Sequence, residues 1–364
     1  MRYADREKEK KNIYRRLIGL VAVGMTVYVG ASKLVAGSQS RINLQLKDEW
    51  RLQLDELSGI GLRQKADGAF DILAIGDRNA LIKTASWREG RLQSDDKGPL
   101  ETSSDIAPLI LERFPLCEDD AARSCKALKQ YLTTDWEALA LDGKGNVLTL
   151  QEGASNLMVF DPTLSSIRSM IHLSFVPLLK KREEMRAEQE NSLGEGLLLL
   201  KQGHVLVAKE KDPTRLIEFG PAAAAPLGVT SQTLLGMDEE FAVPAAASAG
   251  LKPIGYEPLK VWRVKGFKKC DISDLTRDKE GHIYILSQKC RKVGRVHQLG
   301  VDDEVIKVDE VWGLPKAIRN PEAIAVAPDG SIFIGSDIGR HKPNLFRLEV
   351  PAFDNRVAKG GDKK

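Results

Sequence analysis

The chain has 364 residues, enough for one large domain or two ordinary ones, and its 42% hydrophobic and 29% charged content excludes a disordered protein. The formal net charge is only +3 and both ends are lysine-rich, so the middle is near neutral. With no long basic stripe interleaved with aromatics and no known reader motif, nucleic acid is excluded as a partner.

Residues 1–16 carry Arg2, Arg6, Lys8, Lys10, Lys11, Arg15 and Arg16 against Asp5, Glu7 and Glu9, and residues 17–32 are apolar or small. A basic flank before a single apolar segment predicts a cytoplasmic leader over 1–16 and a membrane segment over 17–37. The remainder is then exported to the periplasm or extracellular space. The uninterrupted stretch is shorter than the roughly 20 residues that span a bilayer. Snorkelling of Lys33 and the run Leu34–Ala36 extend it. Two readings stay open: an uncleaved signal anchor, giving a single-pass protein of the cell membrane, and a signal peptide cleaved near Ala36-Gly37.

A short tether from Ser38 leads to Asn43-Leu-Gln-Leu and Trp50-Arg-Leu-Gln-Leu, which alternate as strands do. From there one phrase recurs. Ser58-Gly-Ile-Gly, Glu137-Ala-Leu-Ala, Glu195-Gly-Leu-Leu, Ser273-Asp-Leu-Thr and Glu322-Ala-Ile-Ala each open a copy. In four copies a Gly follows eight residues later and begins a β-rich run, as in Gly145-Asn-Val-Leu-Thr-Leu and Gly330-Ser-Ile-Phe-Ile-Gly. The first copy stretches its turn through Ala66-Asp-Gly to Phe70. Strand-turn-strand units recurring at intervals of tens of residues predict an all-β fold, a β-propeller over 38–352 with a tail over 353–364. Five copies are visible. The 79-residue step from 58 to 137 and the 78-residue step from 195 to 273 leave room for a further blade. The last copy is short of an outer strand, which the segment 41–54 supplies as a clasp.

Three segments break the pattern: a polar loop and short helix around Cys117–Tyr131, a Lys/Glu-rich helix over 177–191, and alanine-rich loops between 221 and 250. All three are expected to decorate one face of the ring. Four cysteines fit an exported chain with two local disulfides. Cys117–Cys125 with Cys270–Cys290 is the economical choice among three connectivities, and four reduced cysteines remain the alternative.

Aligned on their glycines, the copies open with Ser58, Glu137, Glu195, Ser273 and Glu322, none of them apolar. Seven residues after the Gly stand Glu152, Glu210, Gln288 and Asp337, with Asp77 as the counterpart in the first copy. On a propeller both series converge near the mouth of the central channel. Converging carboxylates repel unless a cation or protons intervene. An all-oxygen set suits Ca²⁺, and His172, His204, His282, His297 and His341 share no repeat position, which argues against zinc or iron. The alternative is a purely structural polar ring. Beside the second series lie Arg78, Lys209, Lys211, Arg215, Lys289, Arg291 and Arg340; of these Arg78, Lys209, Arg215 and Arg340 are the candidate rim for an anionic ligand.

Asp55-Glu-Leu-Ser-Gly-Ile, Asp135-Trp-Glu-Ala-Leu-Ala-Leu-Asp, Leu193-Gly-Glu-Gly-Leu, Ala208-Lys-Glu-Lys-Asp-Pro-Thr-Arg-Leu, Asp271-Ile-Ser-Asp-Leu and Asn320-Pro-Glu-Ala-Ile-Ala-Val-Ala-Pro-Asp-Gly, in that order, resemble the SdiA-regulated and esterase-like phytase group of β-propellers. The resemblance implies six blades, export, and calcium near the channel held by Glu137, Glu195 and Glu322. Ser58 and Ser273 depart from the acid of the phrase, and Ala138 and Ala323 from its glycine. Two functions are carried forward. One is a membrane-tethered envelope propeller that binds calcium at the channel mouth together with a small anionic ligand or an envelope protein. The other is a calcium-dependent phosphoesterase or esterase-like hydrolase. A scaffold with neither property is the third possibility. No Gly-x-Ser-x-Gly elbow or Ser-His-Asp order is readable, which argues against acyl-enzyme chemistry.

Overall fold

The computed structural model describes residues 42–351 except 66, 96–97, 114–122, 180–193, 212, 244–252 and 268. The basic leader, the apolar segment 17–37, the tail 353–364, most of the 177–191 segment, Cys117 and the side chain of Cys125 lie outside the described residues. No helix among the described residues is long and apolar enough to cross a membrane.

Each phrase folds as a strand, a tight turn and a second strand. The recurrent glycine takes the left-handed conformation such a turn needs, with φ of 81° at Gly145 and 85° at Gly281. An aspartate ahead of it ties the turn: Asp142 Oδ1 accepts from the N–H groups of Lys144 and Asn146, both at 2.9 Å. The second strand is buried on both faces in every copy, from Phe70–Gly76 to Ile332–Ser336. Such continuous apolar runs belong to strands sandwiched between two other sheets.

Those strands build five antiparallel four-stranded sheets among the described residues, the second and third joined at their outer strands by a short parallel pairing of residues 171–173 with 254–256. From the inside outwards, the first sheet holds Leu57–Gln64, Phe70–Gly76, Asn79–Arg88 and Glu101–Asp105. The second holds Trp136–Leu141, Val147–Gln151, Asn156–Phe160 and Ile167–Leu173. The third holds Gly196–Leu199, Val205–Lys209, Arg215–Pro221 and Ile254–Lys265. The fourth holds Asp274–Arg277, Ile283–Ser287, Lys292–Val296 and Glu310–Gly313. The fifth holds Pro321–Val326, Ile332–Ser336, Leu345–Glu349 and, outermost, Gln45–Trp50. The inner strands touch in the order first, second, third, fourth, fifth and back to first, so the ring closes. The fold is a β-propeller.

A separate apolar cluster fills each gap between neighbouring sheets. Leu148 and Leu150 of the second sheet face Leu197 and Ile217 of the third. Val147 and Met158, on the other face of the second sheet, meet Ile75 and Ile82 of the first. The period-two alternation of each strand thus feeds two cores at once. The clasp forms as the sequence implies, and buried Asn344 pins it. Its side chain accepts from Leu52 N–H at 2.8 Å and donates to the carbonyls of Leu52 and Leu54 at 3.2 and 2.9 Å.

The resemblance implied six blades, against five four-stranded sheets among the described residues. The two long steps are occupied by other structure. The first carries the helices Ala107–Arg113 and Arg123–Thr133, and the second carries, over its described residues 222–243, irregular chain. These insertions do not share one face. Tyr131 of the helix donates to Gly153 O at 2.6 Å, beside the end where Glu152 stands, whereas Leu235 and Met237 line the opposite mouth of the channel.

Candidate metal centre

The opening residue of each phrase sits where two residues of the inner strand oppose one of its neighbour. Leu57 pairs with Gly76 and Gly59 with Ile75, leaving Ser58 extra. Glu137 and Glu322 are extra in the same way between Trp136 and Ala138 and between Pro321 and Ala323. In the third sheet Glu195 N–H bonds Ala208 O at 3.0 Å although Gly196 already pairs with Ala208. Such bulges re-aim a side chain, here into the channel mouth. The residue that follows abuts the next inner strand: a Cβ on Gly196 would come within 2.6 Å of Leu275 N. This close approach is why the phrase runs acid, then Gly or Ala.

A second device places the other series. Glu56, Asp135 and Asn320, each two residues before an opening residue, have φ of 51°, 70° and 41°. In this left-handed turn their carbonyls accept the N–H groups of Asp77, Glu152 and Asp337, each at 2.9 Å. The same bond in three sheets fixes the second acid beside the first.

All seven carboxylates singled out from the sequence, Asp77, Glu137, Glu152, Glu195, Glu210, Glu322 and Asp337, line one cavity of about 220 Å³ with Glu56, Ser58 and Lys211. Among the described residues Lys211 is its only basic lining residue, and it is paired with Glu210. Among the described residues no hydrogen-bond donor reaches the Glu137 or Glu195 carboxylates, and Glu195 is 8% exposed. Oxygens of Asp77, Asp135 and Glu137 lie within 4.8 Å of one another.

The electrostatics follow from that crowding. Burial, then the charges of Asp77, Glu152, Glu322 and Asp135, push the Glu137 carboxyl well up. Burial, then Glu137, Glu152, Glu210 and Glu322, do the same to Glu195. Glu322 is pushed up to about 8 by burial and by Asp337, Glu210 and Asp271, against a hydrogen bond from Gln288. Burial, Asp135 and Glu56 raise Asp77, and burial raises Asp337. Each is the mark of anionic oxygens that lack positive charge.

The basic rim is placed differently. Arg78, Lys209, Arg215 and Arg340 do not line the cavity. Arg78 is paired with Glu56, and Arg340 N–H donates to Asp55 at 3.0 Å with its Nε 3.7 Å from the same carboxylate. Arg215 donates to Thr214 O at 2.9 Å. Lys209 is buried, and its ammonium donates to Lys211 O. Lys211, next to Glu210 in sequence, reaches the cavity instead.

The two serines that interrupt the acid series are cross-links. Ser58 Oγ donates to Trp136 O of the second sheet, and Ser273 Oγ donates to Pro321 O of the fifth at 3.1 Å. The acids missed in the sequence are Glu56, Asp135 and Asp271, each two residues before an opening residue, and Asp274, just after one. Polarity at the minus-two position of four copies was the available signal. Asp274 is buried in a position otherwise Gly or Ala, and its carboxylate accepts from Leu275 and Ile324 N–H, both at 2.7 Å. The Cys270–Cys290 disulfide forms as expected and flanks Asp271, which accepts from Lys289 N–H at 3.0 and 3.1 Å.

A second group with metal-ligand chemistry, Asp278, Glu280 and His282, lies in a turn of the fourth sheet. There Asp278 already accepts from His282 N–H at 2.9 Å and sits 2.7 Å from its Nδ1.

The SdiA-regulated family model matches residues 126–348, from the helix before the second sheet through the last strand of the ring. The chain belongs to the SdiA-regulated family. No curated protein matches it. Among solved structures, glutaminyl cyclase of Myxococcus xanthus is 14% identical, with 86% of this chain and 100% of that chain covered and a TM-score of 0.42. The PQQ-bound aldose sugar dehydrogenase of Streptomyces coelicolor is 10% identical, covering 85% and 98%, with a TM-score of 0.41. Regucalcin of Agrobacterium tumefaciens, a calcium-binding protein, is 12% identical, covering 85% and 94%, with a TM-score of 0.39. At these levels no residue role passes from them to an SdiA-regulated propeller.

Proposed function

We propose that this SdiA-regulated protein is a five-bladed, membrane-tethered propeller of the cell envelope whose acidic mouth holds a calcium ion and presents it to a small anionic ligand or an envelope partner. The observation that carries the reading is the convergence of seven carboxylates on one cavity with a single paired lysine. The donor set fits the ion: it is all oxygen, irregular and drawn from four sheets, as Ca²⁺ tolerates and Zn²⁺ does not. Glu137, Glu195 and Glu322 would hold it, with Asp77, Glu152, Glu210 and Asp337 lining the same cavity. A bound ion would offset the repulsion and give the mouth a positive centre for carboxylate or phosphate oxygens. The basic leader followed by one apolar segment supports the tether, and the Cys270–Cys290 disulfide supports an oxidising compartment.

Calcium titration of thermal stability in the full chain tests this. A saturable rise in melting temperature is expected, worth about 2.7 kcal/mol at a hundred-fold excess over the dissociation constant. Glu195→Gln removes most of it. No shift with Ca²⁺ overturns the reading. In the hydrolase alternative the same ion would polarise a phosphate or carboxylate ester, and Glu210 or Asp337, which line the cavity, would position water. Turnover of a generic phosphate or carboxylate ester that a chelator abolishes would establish it over simple binding.

A further inference from the structure

All five inner strands run the same way along the channel, away from the acidic mouth. At their far ends lies a second cavity of about 160 Å³, room for on the order of ten water molecules. Its lining is mixed: Ile60, Leu139, Leu197, Leu199 and Leu275 from four sheets and Leu235 from the loop after the third stand beside backbone and side-chain polar groups. Two guanidinium groups line it, Arg63 from the first sheet and Arg277 from the fourth.

Neither arginine makes an ion pair among the described residues. Arg63 Nε is buried without an acceptor, and one terminal nitrogen of Arg63 donates to Gly145 O at 3.4 Å. Arg277 donates to Leu235 O and lies 3.4 Å from Met237 Sδ. The nearby carboxylates are committed elsewhere: Asp71 to Lys65 and Ser86, Glu239 to Lys201 and Gly236 N–H, and Asp278 to His282. Asp142, the one acid in the lining, accepts from the N–H groups of Lys144, Asn146 and Phe241, each at 2.9 Å. Burial makes both guanidinium charges costlier, lowering both pKa values. Two partly desolvated forks beside apolar side chains suit a planar anion carrying an apolar body.

We infer that the mouth opposite the acidic one binds an aliphatic monocarboxylate, its head on Arg63 and Arg277 and its chain among the leucines. The channel is then two sites of opposite sign, and this one works without metal.

The test is titration calorimetry of the full chain in the presence of chelator, with sodium octanoate, 1-octanol and inorganic phosphate as probes. Octanoate binds saturably, and 1-octanol and phosphate bind more weakly. Arg63→Gln and Arg277→Gln each weaken octanoate about ten-fold or more, while Arg→Lys at either position loses less. Absence of saturable octanoate binding, phosphate binding as tight as octanoate, or unchanged affinity in both glutamine variants overturns the assignment. If a glutamine variant fails to fold, Met237→Trp replaces it, since Met237 is 53% exposed at the mouth and tolerates bulk. Lost octanoate binding in that variant with its melting temperature kept supports the site, and retained binding overturns it.

Discussion

The second and fourth sheets are written on the same phrase and put it to opposite uses. The second brings Glu137 and Glu152 into the acidic cavity, and no donor among the described residues meets Glu137. The fourth has Ser273 and Gln288 at those positions, and both are bonded to the fifth sheet, Ser273 to Pro321 O at 3.1 Å and Gln288 to Glu322. It adds a buried carboxylate, Asp274, that ties its own Leu275 to Ile324 of the neighbour, and the Cys270–Cys290 disulfide behind it. One backbone repeat can therefore deliver charge to the hub or stitch the ring. The choice is made by the side chain at two positions.

The largest effect is expected from cutting the stitching. Asp274→Ala leaves two buried backbone N–H groups without an acceptor and should cost about 2–4 kcal/mol in urea unfolding. A loss below about 1 kcal/mol would show that the fourth sheet is not held this way. Next comes the charge. Glu137→Gln should raise the melting temperature without divalent ions, by relieving repulsion, and remove most of the calcium-induced rise. Ser273→Ala should leave the calcium response intact.

The pH dependence reports on the acidic cavity, through Glu322 of the fifth sheet. Glu322 titrates at about 8 in the folded chain against 4.5 unperturbed, so the folded state holds the proton more tightly. That stability is complete below about 4.5 and is lost as pH rises through about 8. Without divalent ions, stability should fall across this interval, and saturating Ca²⁺ should flatten the fall. A metal-free melting temperature that climbs over the same range contradicts the account.

Gln288→Glu would rewrite the fourth sheet as a second one. It replaces the amide donor to Glu322 by a like charge and should cost about 1–2 kcal/mol without metal, with calcium recovering part. Ser273→Ala is the smallest change, about 1 kcal/mol for one buried hydrogen bond.

Much of this was legible because it repeats. The turn glycines, the doubly buried second strands and the two carboxylate series recur at fixed spacing, so Glu137, Glu195 and Glu322 could be aligned without coordinates. Basic residues were harder. Arg78 and Lys211 look alike beside the second series, but Arg78 turns to Glu56 and Lys211 reaches the cavity. Both stand one residue after an acid of that series, and no spacing records which acid a long side chain will meet. Glu56, Asp135 and Asp271 were missed because they precede the strands, in turns whose conformation decides where a side chain points.

The sequence by itself determined a repeating strand-turn-strand chain, its acids in register and its first strand reserved for the last sheet, because these are local periodicities fixed by backbone geometry. Only the closed ring decided that seven carboxylates from four sheets share one cavity, that two serines became cross-links, and that Arg63 and Arg277 line one cavity at the far mouth. Those outcomes depend on which strands become neighbours when the ring closes, and the side chains concerned are separated by tens to hundreds of residues along the chain.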